Sequence, residues 1–286
     1  TEHQEPARII SKDGYGTDEY QPPFINESVA FNYTHASKRP AGVTPFGTQG
    51  LRTGVDELMR NARELKNRWM RTVEHQCASA LFTGSITAGD KVFDFGLKTT
   101  HKLDLTTKWT ADAADPFKDL DDIIALNEGE SGTPTNMVIM SVTAWQTFRN
   151  NKKVMAMMGS PGSSRWISFG NLNAPSYNPA MQASLKGALE LTEGTVEIWV
   201  YGGRYFDGTV AKRYAPDGWI WVGSKETRYD QYFTGFFDAE YMDMVQGEYM
   251  VDQLRMTNPD QVITRLRSCP LMVPIDFDSY TVAKVV

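Results

Sequence analysis

The feature that most constrains this chain is a proline-free stretch over residues 54–83. Val55, Leu58, Met59, Ala62, Leu65, Trp69, Val73, Gln76/Cys77 and Ala80 recur in it at steps of three and four. Arg60, Arg63, Arg68, Arg71 and Glu74 take the other faces, and Gly84 offers a carboxy-terminal stop. The spacing predicts one amphipathic helix with Trp69 on its buried stripe. At 1.5 Å per residue such a helix is about 45 Å long, against a usual length of about 11 or 12 residues. It must lie along a flat layer or bridge two subdomains. The chain has 286 residues, which fits one large domain or two modest ones. A chain of that size buries roughly 75% of its unfolded surface and needs no disulfide or metal staple.

The flanking sequence is of a different kind. Residues 1–50 hold Pro6, Pro22, Pro23, Pro40 and Pro45 together with Gly14, Gly16, Gly42, Gly47 and Gly50, which leave no room for a helical period. Short strands fit at 7–11 and 24–33, with a turn at 13–16 between them. The result is an extended two-stranded arm. An isolated pair of strands is marginal in water, so the arm needs a covering surface in this chain or another. The first residue is Thr1 and no signal pattern follows it, from which a cleaved or missing amino-terminal piece is expected.

Beyond the helix, 91–97 and the alternating Leu103 and Leu105 suggest strands. Asp115 and Pro116 suit the N-cap and first position of a helix over 115–126. A buried strand at 136–140 precedes Ser141, a cap for a helix running through 142–158. The order predicts an α/β layer. From about Gly187 the chain turns β-rich, with strands expected at 194–202, 218–223, 231–237 and 254–256 and in RLRSCPLMVP near the end.

Searching for chemistry excludes more than it finds. His3, His35, His75 and His101 are scattered, and Cys77 and Cys269 make no metal-ligand pair. Residues 84–91 miss a phosphate loop because Asp90 separates Gly89 from Lys91. Gly202-Gly203-Arg204 has no dinucleotide spacing. The acidic run Asp112, Asp115, Asp119, Asp121, Asp122, Glu128 and Glu130 could serve glycosidase-like chemistry or a divalent cation. Its plainer reading is a solvated helix face complementing the helix dipole. The net charge of −6 argues against a protein built to grip phosphate backbones, and no apolar run reaches the roughly 18 residues of a membrane span. No catalytic, cofactor or metal residue is assigned.

Taken in order, several segments resemble the major capsid proteins of tailed phages, the lambda gpE-like family. They are YQPPFINESVAFNYTHASKRPAG, VFDFGL, KWTADAADPFKDLDDIIAL, NMVIMSVTAWQTFRNNKKV, VEIWVYGGRYFDG, APDGWIWVG and RLRSCPLMVPIDFDSYTVAKVV. The resemblance covers most of the chain from about residue 20 onward. It implies an α+β fold of the Hong Kong 97 type: an E-loop arm at 1–50, a P domain with the spine helix at 51–111, an α/β A domain at 112–220, and a return to P-domain strands at 221–286. It further implies a structural protein, not an enzyme, that self-assembles through pentamers and hexamers into an icosahedral shell around double-stranded DNA, contacted non-specifically. The expected partners are a decoration or cement protein, a portal, and a scaffold or protease. The expected location is the virion capsid, assembled in the host cytoplasm, with no membrane and no cofactor. Phe24, Ile25, Val29, Phe31 and Tyr33 are expected to contact an adjacent subunit. Lys12 and Lys38 are considered for lysine–asparagine crosslinks, as in some relatives, but are not assigned. A cellular nanocompartment shell of the same fold and a soluble carboxylate hydrolase are the alternatives.

Overall fold

The computed structural model describes residues 22–32, 54–89, 91–158, 166–169, 177–178, 182–238, 242–258 and 260–286. The expected strand at 7–11, Tyr33, Lys12 and Lys38 lie outside them. Strand β1 (Ile25–Asn32) comes first, then helix α1 (Gly54–Thr83), which spans 30 residues as the periodicity requires. Gly84 ends it with φ of +70°, its N–H bonding the Ala80 carbonyl at 3.1 Å. A Cβ at Gly84 would lie 2.6 Å from Leu97 Cβ, so only glycine closes this end without displacement. The near-miss phosphate loop is a hairpin, β2 (Ser85–Ala88) and β3 (Lys91–Asp94). Strand β4 (Lys102–Asp104) and helix α2 (Pro116–Ser131) follow. The Asp115 carboxylate caps α2 by accepting from the Lys118 N–H, and Pro116 opens it.

Strand β5 (Met137–Ser141) leads into helix α3 (Val142–Asn150), capped by the Ser141 hydroxyl at 3.2 Å from the Ala144 nitrogen. The single helix expected over 142–158 is two. Asn151 is extended, with φ −66° and ψ 137°, and α4 (Lys152–Met158) starts after it. The buried Asn151 amide donates to the Trp109 carbonyl (3.2 Å) and accepts from the Lys153 N–H (2.9 Å). A tertiary hydrogen bond has replaced one helical turn.

The rest is β-structure: β6 (Trp166–Phe169), β7 (Tyr177–Asn178), β8 (Ala183–Glu190), β9 (Thr195–Tyr201), β10 (Arg204–Phe206), β11 (Ala211–Arg213) and β12 (Trp219–Gly223). After these come β13 (Tyr229–Phe233), β14 (Phe236–Asp238), β15 (Asp243–Val245), β16 (Met250–Thr257), β17 (Asp260–Ser268), β18 (Pro270–Pro274) and β19 (Tyr280–Lys284). The strand expected over 231–237 is thus two, β13 and β14.

Among the described residues two sheets organise the chain. The larger has the order β4-β19-β12-β5-β9-β8-β6, with β7 beside β8. The smaller has the order β1-β17-β16, all antiparallel. The large sheet takes in β4 and the last strand, β19, and residue 220 lies within β12. The segment bounds expected at 111 and 220 therefore do not follow sheet membership, and the carboxy terminus returns to the large sheet.

Strand alternation explains the core. In β5, Val138 and Met140 face one side and Met137 and Ile139 the other. In β12, Ile220 and Val222 share the first side with β5, and Trp219 and Trp221 the second. The first side packs on α2, α3 and α4 through Phe117, Leu120, Ile123, Ile124, Phe148 and Val154. The second receives the end of α1 through Leu81 and Phe82. Fully burying one such side chain contributes about 1.5–3 kcal/mol. Gly223 lies so close to Trp221 and Tyr280 that a Cβ would meet them at 2.6 and 2.8 Å.

Helix α1 joins the two sheets. Around its middle Leu65 and Trp69 pack against Leu266 of β17, with Ile25, Val29, Phe233 and Tyr249 around them. Near its end Ala80 meets the β2–β3 hairpin and β18. Its middle and its carboxy-terminal end serve different layers. From Leu65 through Trp69 and Gln76 to Ala80 the buried stripe is the expected one; in the first two turns Glu57 and Asn61 are buried instead and Met59 is exposed.

Candidate assembly surface

Of the residues expected at intersubunit contacts, the smaller sheet holds Ile25, Val29 and Phe31, and Phe24 lies just before it. Strand β1 pairs with β17 over eight residues, from Ile25↔Ser268 to Asn32↔Gln261. Its odd-numbered residues point to α1 and are half-buried, while Phe24, Asn26, Ser28 and Ala30 are exposed. The inner face of this strand is partly covered within its own subunit. Ile25 and Val29 are covered by Leu65, Trp69 and Leu266 of their own chain. Phe31 is half-buried on the same face. Phe24 is 54% exposed, its ring centroid 6.0 Å from that of Phe236.

Both outer strands of this sheet, β1 and β16, have one partnered edge among the described residues. An unpaired strand edge presents a row of backbone donors and acceptors ready to meet another chain. Val251 and Met256 of β16 are exposed, as are Phe237 and Met244 on the β14–β15 hairpin. That hairpin is tied to the sheet by charge. The guanidinium of Arg267, 5% exposed, donates to Asp238 at 2.5 Å and to Asp252 at 2.6 Å. It stands 4.9 Å over the Phe236 ring, and Arg265 donates to both oxygens of Asp252 at 3.0 and 2.5 Å. Sequence periodicity cannot show this cluster, because its residues come from three strands.

The acidic run is spread over separate partners. Asp112 pairs with Lys152, Asp115 with Lys153 (2.8 Å) and Asp122 with Lys118 (2.6 Å). Asp121 accepts from both the N–H and the hydroxyl of Thr192, and Glu128 from the Thr135 N–H. Asp119 accepts from the Trp109 indole at 2.8 Å, and burial raises its carboxyl above the usual range. Asp112 and Asp122 remain exposed, whereas Asp115, Asp119, Asp121 and Glu128 are partly buried and tie α2 to its surroundings. Among the described residues one group has metal-ligand donors close together: His101, Glu130 and Asp278, within 4.8 Å of one another. The Lys98 ammonium stands against two of them, 3.2 Å from Glu130 and 2.6 Å from Asp278, where a metal would sit.

Between α1 and the large sheet a cleft of about 390 Å³ is lined by Cys77, Leu81, Met137, Ile139, Trp199 and Tyr201. Burial, with Glu74 adding, pushes the Cys77 thiol up to about 11. Burial also raises the Tyr201 phenol, which donates to Glu74. Both groups keep their protons at neutral pH, so neither is an activated nucleophile.

This architecture is shared with solved capsid proteins. The chain is similar to the crystal structure of a putative prophage capsid protein from E. coli CFT073, with TM-score 0.66 and 19% identity, covering 93% of this chain and 77% of that one. It is also similar to a phage-related protein of Bordetella bronchiseptica RB50, with TM-score 0.58 and 16% identity, covering 95% and 77%. The fold is the α+β capsid fold of the Hong Kong 97 type. The chain belongs to the family described as Phage major capsid protein E, which matches residues 1–285. The major capsid protein of Escherichia phage lambda is 23% identical over 288 residues, 96% of this chain and 81% of that protein. Its function is that of a tailed-phage major capsid protein, and its place is the virion capsid. No helix among the described residues is long and apolar enough to cross a membrane.

Proposed function

We propose that the β1-β17-β16 sheet on α1 is the P domain, and that the large sheet with α2, α3 and α4 is the A domain. Copies of the subunit associate through the edges of the P-domain sheet and through the exposed Phe24. One heterologous contact, repeated by rotation, closes rings, and pentamers and hexamers of such rings close a shell. The observation that carries this reading is the smaller sheet itself: its apolar face is seated on α1 while both outer strands keep an unpaired edge among the described residues.

The protein acts by geometry and not by turnover. Double-stranded DNA is enclosed and touched non-specifically, and the negative net charge limits its adhesion to the wall. A decoration protein, a portal, and a scaffold or protease complete the particle during assembly. Electron microscopy of the expressed protein tests the reading. Wild type forms closed shells, whereas Phe24→Asp leaves folded subunits that close few of them. Normal shells from Phe24→Asp would remove Phe24 from the contact.

A further inference from the structure

His101 is 0% exposed and joins three stretches of chain that are far apart in sequence. Its Nδ1 lies 2.8 Å from Thr281 Oγ1 on β19, and its Nε2 lies 3.2 Å from Glu130 Oε2 on α2. The direction of each hydrogen bond in this network is determined, starting from a backbone carbonyl. Asn127 Nδ2 donates to the Val222 carbonyl at 3.1 Å. The flipped amide would set two acceptors face to face, so Asn127 Oδ1 must point at Thr281. Thr281 then spends its one hydroxyl proton on Asn127 Oδ1, at 2.6 Å. Towards His101 its oxygen can only accept, which requires a proton on Nδ1. The remaining nitrogen, Nε2, faces a carboxylate, which only accepts when ionised.

We propose that His101 is held as the imidazolium, one proton on each ring nitrogen, and that this buried charge latches α2 and the turn before β4 onto the carboxy-terminal strand. The charge inventory agrees. Lys98 and His101 face Glu130 and Asp278, two cations to two carboxylates. Lys102, the next residue in the chain, turns its ammonium away to the Thr83 carbonyl. The hydrogen bond from His101, and after it that from Lys98, holds the Glu130 carboxyl below the usual range. Asn127 completes the latch by bonding both members of the Val222↔Thr281 pair between β12 and β19. The latch needs an ionised Glu130, so acid releases it.

The test is solid-state NMR of ¹⁵N-histidine-labelled protein in neutral buffer. His101 is assigned through space to the Thr281 side chain, so the assignment requires no variant. Both ring nitrogens should carry protons. In Glu130→Gln the ring should keep only the Nδ1 proton, and the amides of residues 280–284 should exchange roughly tenfold faster, the loss expected for one charged hydrogen bond. A bare Nε2 in wild type overturns the proposal, whether or not Glu130 carries the proton instead. Unchanged exchange over 280–284 in Glu130→Gln overturns the latch.

Discussion

The two sheets that α1 connects are built on opposite plans. The large sheet is covered on both faces, so both alternating sets of its inner strands are apolar: Val138 and Met140 on one side of β5, Met137 and Ile139 on the other. The three-stranded sheet is covered on one face by α1. The residues β1 turns outward are Asn26, Ser28 and Ala30, with Phe24 just before the strand. The first layer satisfies itself within the subunit. The second is held just firmly enough to present its edges. On the proposed reading, the first region stays unchanged on assembly and the second meets its neighbours.

The largest effect should separate the two layers. Phe148 is fully buried between α3 and the large sheet. Phe148→Ala should cost about 3–5 kcal/mol and unfold the subunit globally in a denaturant titration. Trp69 is 8% exposed beneath the smaller sheet, and its indole N–H has no hydrogen-bond partner. Trp69→Ala should also cost about 3–5 kcal/mol, but hydrogen exchange should quicken in β1, β16 and β17 and not in β5 or β12. Equal loosening of both layers would break the comparison.

Next in size is the ion cluster. Asp238→Asn removes one buried partner of Arg267 and leaves Asp252, so its cost should approach the lower end of the roughly 3–5 kcal/mol seen when a buried pair is broken. Thermal unfolding measures it. A loss below about 1 kcal/mol would show that Asp252 suffices to neutralise Arg267.

Acid should loosen the large sheet's side of the molecule through Glu130. Its folded-state carboxyl is depressed, so its contribution is present above the unfolded range and is lost as pH falls through the folded value. Exchange over residues 280–284 should therefore rise in acid, and Glu130→Gln should flatten the profile. The smallest effect is expected at Asp119. Burial already disfavours its charge, and an amide oxygen can still accept from the Trp109 indole. Asp119→Asn should shift stability by no more than about 0.5 kcal/mol, measured by the same titration.

Local chemistry was legible in the sequence. Helix α1 was readable in both bounds, and the Asp115–Pro116 and Ser141 caps were readable because a cap is made by residues within three positions of one another. Tertiary decisions were not. Asn151 splits 142–158 by bonding a carbonyl 42 residues earlier. Strand β8, with its Lys186, Gly187, Ala188 and Leu189, has little β-branched character and is drawn into the sheet by β9. Tyr280–Lys284 was not singled out as a strand, and its place between β4 and β12 depends on partners about 180 and 60 residues away. His101 looked ordinary because Thr281 and Glu130 are distant in sequence. Nothing in the sequence set Phe24 apart from Ile25 and Val29, because the cover over those two comes from β17 and α1.

The most direct test of the account is hydrogen exchange compared between free subunits and closed shells. It predicts that the amides of β1 and β16 gain protection on assembly, while those of β5 and β12, interior to the large sheet, are equally protected in both states. Unchanged exchange in β1 and β16, or a gain confined to the large sheet, would contradict the assignment of the smaller sheet as the surface on which the shell is built.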